Sequence, residues 1–246
     1  LDPSKRYPVI EYIYGGPQTH VIRPRYMGWY CFQGRAPSNM TVSIPYLTDN
    51  GYAVVMMDAP GTTGRSRAYN LANRGKWPEG IIPDHAEGLR QGGVMFGYVN
   101  TDRIGMRGHS WGGYMSILAM FEAPTVYRAA VSSAPSVDPA TGGFWEVAPI
   151  GGPPSTNKEA YAYADLTQRV SSINGPLQIF GAMDDINAPI ADVFRIADAL
   201  IDADKDHDLL MVPGANHSFD LEDGSHRRFY LYAKTRSFFD RTLKTD

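Results

Sequence analysis

The sequence predicts an α/β fold, a mostly parallel central sheet with helices on both faces. Three observations lead there. Short apolar, β-rich runs alternate with segments of helical character along the 246 residues. None of these runs shows the strict polar–apolar alternation of a hairpin with one wet face, so the strands are read as buried on both sides. The length suits one large domain with a substantial core, and no internal repeat, low-complexity tract or linker divides it.

In chain order, Val9 to Tyr14 is a strand that ends at the sharp turn Gly15-Gly16-Pro17. Residues 18–44 form a long connection, and connections of that length tend to carry function. Tyr26, Trp29, Tyr30 and Phe32 cluster in it, and Gln18, Thr19 and His20 can face a cleft. His20 alone is read as a surface or packing residue rather than a catalyst. A short helix is expected over Val42–Leu47. The second strand, Tyr52–Met57, stops at Asp58-Ala59-Pro60-Gly61, and residues 61–83 form a second long loop.

Asp84 to about Met95 reads as a helix with Asp84 at its start, where a carboxylate suits the exposed N–H groups. Ile104–Met106 is the next strand and Tyr114–Met120 the next helix. Arg128–Ser133 is a strand ending at Ala134-Pro135. Residues 136–160 are rich in Pro and Gly and read as an irregular excursion, with Phe144 and Trp145 lining a pocket or covering the core. A helical turn at Ala160–Ala164 precedes the strand Leu177–Phe180. Pro189 opens a helix whose Val193, Ile196, Ala197 and Leu200 make one inward stripe. Leu209–Val212 is the last strand, and Phe229–Phe239 a closing helix.

Composition narrows the function. With 23 basic and 26 acidic residues the formal charge is −3 and no basic run is present, so nucleic acid is not an expected partner. No apolar stretch reaches the roughly 18 residues of a membrane span, and no membrane partner is expected. Cys31 is the only cysteine, so an internal disulfide is impossible and the compartment stays open. The chain shows no signal peptide and opens on Leu1-Asp2-Pro3, as a domain of something longer would. A homo-oligomer is compatible with all of this. The six histidines make no metal-binding spacing and Gly61–Gly64 is no phosphate loop, so no metal or cofactor is implied.

The chemistry centres on Gly108-His109-Ser110-Trp111-Gly112-Gly113. A strand precedes it and a helix follows it. That context separates a nucleophile elbow from a glycine-rich turn with an incidental serine. Gly108 and Gly112 give the turn its needed lack of bulk. Ser110 is thereby the candidate nucleophile, with the N–H of Trp111 facing an oxyanion. Two further strand ends deliver an acid and a histidine, Asp184-Asp185 and His217. In a parallel sheet these ends share one edge. His217 would take the hydroxyl's proton, and the acid would hold the imidazole's tautomer. Counting forward from Gly181 favours Asp184 as the acid, whereas the phase of the helix after Pro189 favours Asp185. The order Ser, Asp, His is that of the α/β-hydrolase arrangement.

These residues resemble the catalytic domain of the prolyl oligopeptidase family of serine peptidases, in its dipeptidyl peptidase IV-like branch. The resemblance is carried by Tyr12-Ile13-Tyr14-Gly15-Gly16-Pro17, Gly108 to Met115, Ala134-Pro135, Gly-x-x-Asp-Asp and Asn216-His217, all in the family's order. It implies a single α/β-hydrolase domain over 1–246, from a longer protein with a β-propeller. It implies Tyr14 as a second oxyanion donor, Asp185 as the acid, Asn187 at the cleft toward a substrate carbonyl, and Trp111 as a pocket wall. The implied activity is hydrolysis of short peptides through an acyl-enzyme, after proline or in a dipeptidyl- or aminopeptidase-like way. A carboxylesterase of feruloyl or aryl type is the alternative, and a non-catalytic interaction module the third reading. Two departures stand out. Asp58-Ala59-Pro60-Gly61 replaces the family's Asp-x-Arg-Gly, and two pocket tyrosines of the branch have no counterpart near Gly142–Glu146.

Overall fold

The computed structural model describes residues 2, 4–22, 39–141, 144–219 and 226–244. Cys31 and the aromatic group Tyr26, Trp29, Tyr30 and Phe32 lie outside the described residues, as do Gly142 and Gly143. Six strands form one parallel sheet in the order β2-β1-β3-β4-β5-β6. They are β1 (Tyr7–Ile13), β2 (Ala53–Met56), β3 (Val99–His109), β4 (Tyr127–Ser133), β5 (Leu177–Ala182) and β6 (His207–Val212). With helices on both faces, this is the α/β-hydrolase architecture.

Side chains alternate across the pleat and so feed two cores. Val9, Ile13, Ile104, Met106, Ala130 and Ile179 pack toward α3 (Ile81–Met95), α4 (Trp111–Glu122) and α7 (Ile190–Asp202). Ile10, Ala129, Val131 and Phe180 pack on the other face toward α1 (Asn39–Asp49) and α8 (His226–Leu243). The buried stripe of α7 includes the expected Val193, Ile196, Ala197 and Leu200.

Several boundaries differ from expectation. The helix expected from Asp84 starts one turn earlier, because Gly80 adopts φ 79° and turns the chain into α3. The run Ile104–Met106 is only the centre of an 11-residue strand. The loop 61–83 contains a helical turn, α2 (Arg67–Asn70), capped by Ser66. The excursion 136–160 is not wholly irregular: it contains α5 (Phe144–Ile150), with Pro149 in its last turn, and α6 (Lys158–Ala164) begins before its end. Pro149 forgoes one i→i−4 bond, and α5 ends one residue after it. No described helix is long and apolar enough to cross a membrane.

Candidate active site

The chain runs from β1 outward to β2 and then returns to the opposite side of β1 as β3. This change of direction opens a crevice at the carboxyl ends of β1 and β3, where open parallel sheets bind ligands. Tyr14 follows β1 and Ser110 follows β3.

Ser110 sits at φ 60°, ψ −120°, a conformation unusual for a residue with a Cβ. Neighbouring backbone enforces it. A Cβ on Gly108 would stand 2.1 Å from the Gly112 carbonyl oxygen, and one on Gly112 would stand 2.2 Å from that of Ile13. Neither obstacle is a side chain that could swing away. The Ser110 N–H donates to the Ser133 carbonyl at 2.8 Å, tying the elbow to the end of β4. The N–H of Trp111 is the first of α4 and so has no acceptor within its helix.

The structure brings Ser110, Asp185 and His217 together. His217 Nε2 lies 2.8 Å from Ser110 Oγ, and His217 Nδ1 lies 2.7 Å from Asp185 Oδ2. A carboxylate only accepts, so Nδ1 carries the proton and Nε2 is free to accept from the serine hydroxyl. The loops after β5 and β6 are joined by the Asp184 N–H donating to the Ala215 carbonyl at 2.9 Å. That bond holds the acid's loop against the histidine's.

Between the two adjacent aspartates the geometry is one-sided. Asp184 is exposed, whereas the side chain of Asp185 is 1% exposed. Asp185 Oδ1 accepts from the N–H groups of Asn187 (2.8 Å) and Ala188 (2.9 Å), leaving Oδ2 for the imidazole. Burial opposes ionisation of this carboxyl, but the bonds from His217, Ala188 and Asn187 outweigh it and hold the carboxyl below its usual value.

Tyr14 is positioned by its neighbours. Gln18 Nε2 donates to its hydroxyl oxygen at 2.9 Å, which leaves the phenol proton to point elsewhere. Gly16 allows this packing, since a Cβ there would lie 2.7 Å from the Tyr14 ring and 2.8 Å from Gln18 Oε1. Burial raises the phenol above its ordinary value, only partly offset by hydrogen bonds with Gln18 and Ser110. Tyr14 therefore keeps its proton near Ser110 at neutral pH. His20, read as structural, pairs through Nδ1 with Thr63 Oγ1 at 3.0 Å.

A cavity of about 640 Å³ opens over these groups, lined by Tyr14, Ser110, Trp111, Asn187 and His217. Gln18 lines it too, as one of the three polar residues expected at a cleft. Sequence reasoning missed Trp77 and Glu146, which share its wall. Trp77 packs its ring 4.5 Å from that of Trp111 and 4.8 Å from that of Tyr114, and donates Nε1–H to the Gly15 carbonyl at 3.3 Å. Nothing local marks Trp77, since its partners come from distant elements. Glu146 was visible only as an acid within an apolar stretch. Phe144 and Trp145 begin α5, but their side chains lie outside the described residues. Among the described residues, no group of three or more His, Cys, Asp or Glu is placed to hold a metal ion.

Known proteins share this framework. Dipeptidyl peptidase 8 of Mus musculus is 28% identical over 242 residues, a match covering 94% of this chain and 25% of that protein. The chain thus spans about a quarter of the length of that relative. Among solved structures, Porphyromonas gingivalis dipeptidyl peptidase 4 superposes with a TM-score of 0.79 at 22% identity, covering 99% of this chain and 32% of that one. Pyrococcus horikoshii acylaminoacyl peptidase does so with a TM-score of 0.84 at 21% identity, covering 100% and 38%. These two likenesses are of fold. The model of the prolyl oligopeptidase family matches residues 38–246, most of the chain, and the chain belongs to that family.

Proposed function

We propose that this chain is the hydrolase part of a serine peptidase that cleaves short peptides through an acyl-enzyme intermediate. The observation that carries this is the continuous hydrogen-bonded path from Ser110 through His217 to Asp185. Ser110 Oγ attacks the scissile carbonyl while His217 Nε2 takes its proton. Asp185 Oδ2 accepts from Nδ1–H and stabilises the imidazolium that forms. The Tyr14 hydroxyl and the Trp111 N–H donate to the oxyanion. His217 then gives the proton to the leaving amine, and a water activated by the same imidazole releases the acyl group.

Membership in a peptidase family favours peptides over the esterase alternative. Dipeptidyl specificity draws support from the mouse relative's name, and Trp111 and Asn187 stand in the cleft wall where a short peptide would lie. A neighbouring β-propeller draws support from the quarter of that relative's length that the chain spans.

A fluorophosphonate probe tests the nucleophile. Labelling at Ser110 that disappears in Ser110→Ala is the expected result, and an unlabelled wild-type chain overturns the proposal. Comparing a set of short peptide amides, with proline and with lysine at the acyl position, with aryl esters then tests the substrate class. Turnover of esters alone overturns the peptidase assignment.

A further inference from the structure

The cleft holds an acidic side chain that the serine chemistry leaves unused. Glu146 lies in the first turn of α5 and is 6% exposed. It lines the main cavity and also a narrow annex, walled by Trp77, Trp111, Tyr114, Ser136 and Pro139. Its Oε2 is shut away from solvent without a hydrogen-bond partner among the described residues. Among the described residues no lysine, arginine or histidine forms an ion pair with it.

Its acidic neighbour Asp192 is in the opposite situation. Asp192 accepts from Ser136 Oγ (3.1 Å), the Val137 N–H (3.0 Å) and Thr141 Oγ1 (3.1 Å), with Arg195 at 3.7 Å. Asp192 is therefore satisfied and adds only a second negative charge near Glu146. Burial pushes the Glu146 carboxyl up to about 7, its own backbone N–H opposes this, and Asp192 adds to it. A buried carboxylate oxygen with neither cation nor donor is destabilising unless something from outside completes it.

The surroundings indicate what completes it. Indole faces attract cations and cover methylene stems, and two indoles stand beside this acid. The annex measures about 10 Å³, the room one water-sized group takes, which suits an ammonium better than a planar guanidinium. Trp111 also directly follows the nucleophile, so this subsite adjoins the acyl residue rather than a distant one.

We propose that Glu146, with Trp77 and Trp111, forms a subsite for the side-chain ammonium of a lysine-like residue whose carbonyl Ser110 attacks. The assignment rests on the hydrolase function proposed above. The test uses fluorogenic peptide amides with lysine, norleucine or arginine at the acyl position, each with a free or an acetylated N-terminus. They are compared on the wild-type chain, Glu146→Gln and Glu146→Asp, with Ser110 labelling measured in parallel.

In the wild type, kcat/KM for lysine should exceed that for norleucine by about 10- to 100-fold, as a charge-assisted hydrogen bond gives, and Glu146→Gln should reduce the ratio below about 3-fold. Glu146→Asp should fall between. A wild-type ratio near one with labelling intact overturns the subsite and leaves the hydrolase standing. A full ratio in Glu146→Gln also overturns it, as does a preference that follows the free N-terminal amine. Absence of both labelling and turnover in the wild type sinks the hydrolase and the subsite together. Should both variants fail to fold, the wild-type ratio decides alone.

Discussion

The imidazoles of His109 and His217 lie 4.8 Å apart, centroid to centroid, and the first is kept neutral. Burial, then the charges of His217 and Arg107, push His109 down to about 3. Unfolded, His109 takes up a proton near pH 6.5. The unfolded state therefore binds more protons between the two values, and stability falls as pH falls. The contribution is fully present above about pH 6.5 and lost by about pH 3, at up to about 1.4 kcal/mol per pH unit. Urea denaturation at about pH 7.5 and about pH 5 should show a smaller loss for His109→Phe than for the wild type. Equal losses would show that His109 does not titrate in this way.

Asp185→Asn should lower kcat about 10³- to 10⁴-fold, because an amide no longer holds Nδ1–H and the tautomer is wrong. Asp184→Asn, on an exposed side chain, should stay within about twofold of wild type. Steady-state kinetics on the two variants separate the adjacent acids. A larger loss at Asp184 would reverse the assignment.

If the Tyr14 hydroxyl donates to the oxyanion as proposed, Tyr14→Phe removes that donor together with the oxygen that accepts from Gln18. It should reduce kcat by about 10²- to 10³-fold with KM nearly unchanged. Gln18→Ala, which removes the bond orienting the phenol and a polar group of the cleft wall, should reduce kcat by less. A KM effect in Tyr14→Phe without a kcat effect would assign the tyrosine to ground-state binding.

A second polar network lies inside the core, away from the cleft. Glu11, on β1, accepts from Tyr127 Oη at 2.7 Å and meets His85 Nδ1 at 2.5 Å, and all three side chains are almost fully buried. Glu11→Leu strands two polar partners and should destabilise by about 3–5 kcal/mol in chemical denaturation. Glu11→Gln keeps a donor and an acceptor and should cost less than half of that. Equal losses would mean that the negative charge matters more than the hydrogen bonds.

The sequence by itself determined the strand-to-helix punctuation, the parallel sheet, and the order in which Ser110, the acid and His217 arrive at its edge. Those features are local: a strand and a helix each carry their own period, and chain order orders the loops. Counting along the chain left Asp184 and Asp185 both open, although the family resemblance pointed to Asp185; the tertiary structure puts Asp185 beside His217, with its carboxyl turned inward to meet Nδ1 and two backbone N–H groups. It also decided that Trp77 stacks on Trp111, that Glu146 enters the cleft, and that Glu11 meets His85 and Tyr127. Each of these depends on packing between segments far apart in the chain, which no local periodicity encodes.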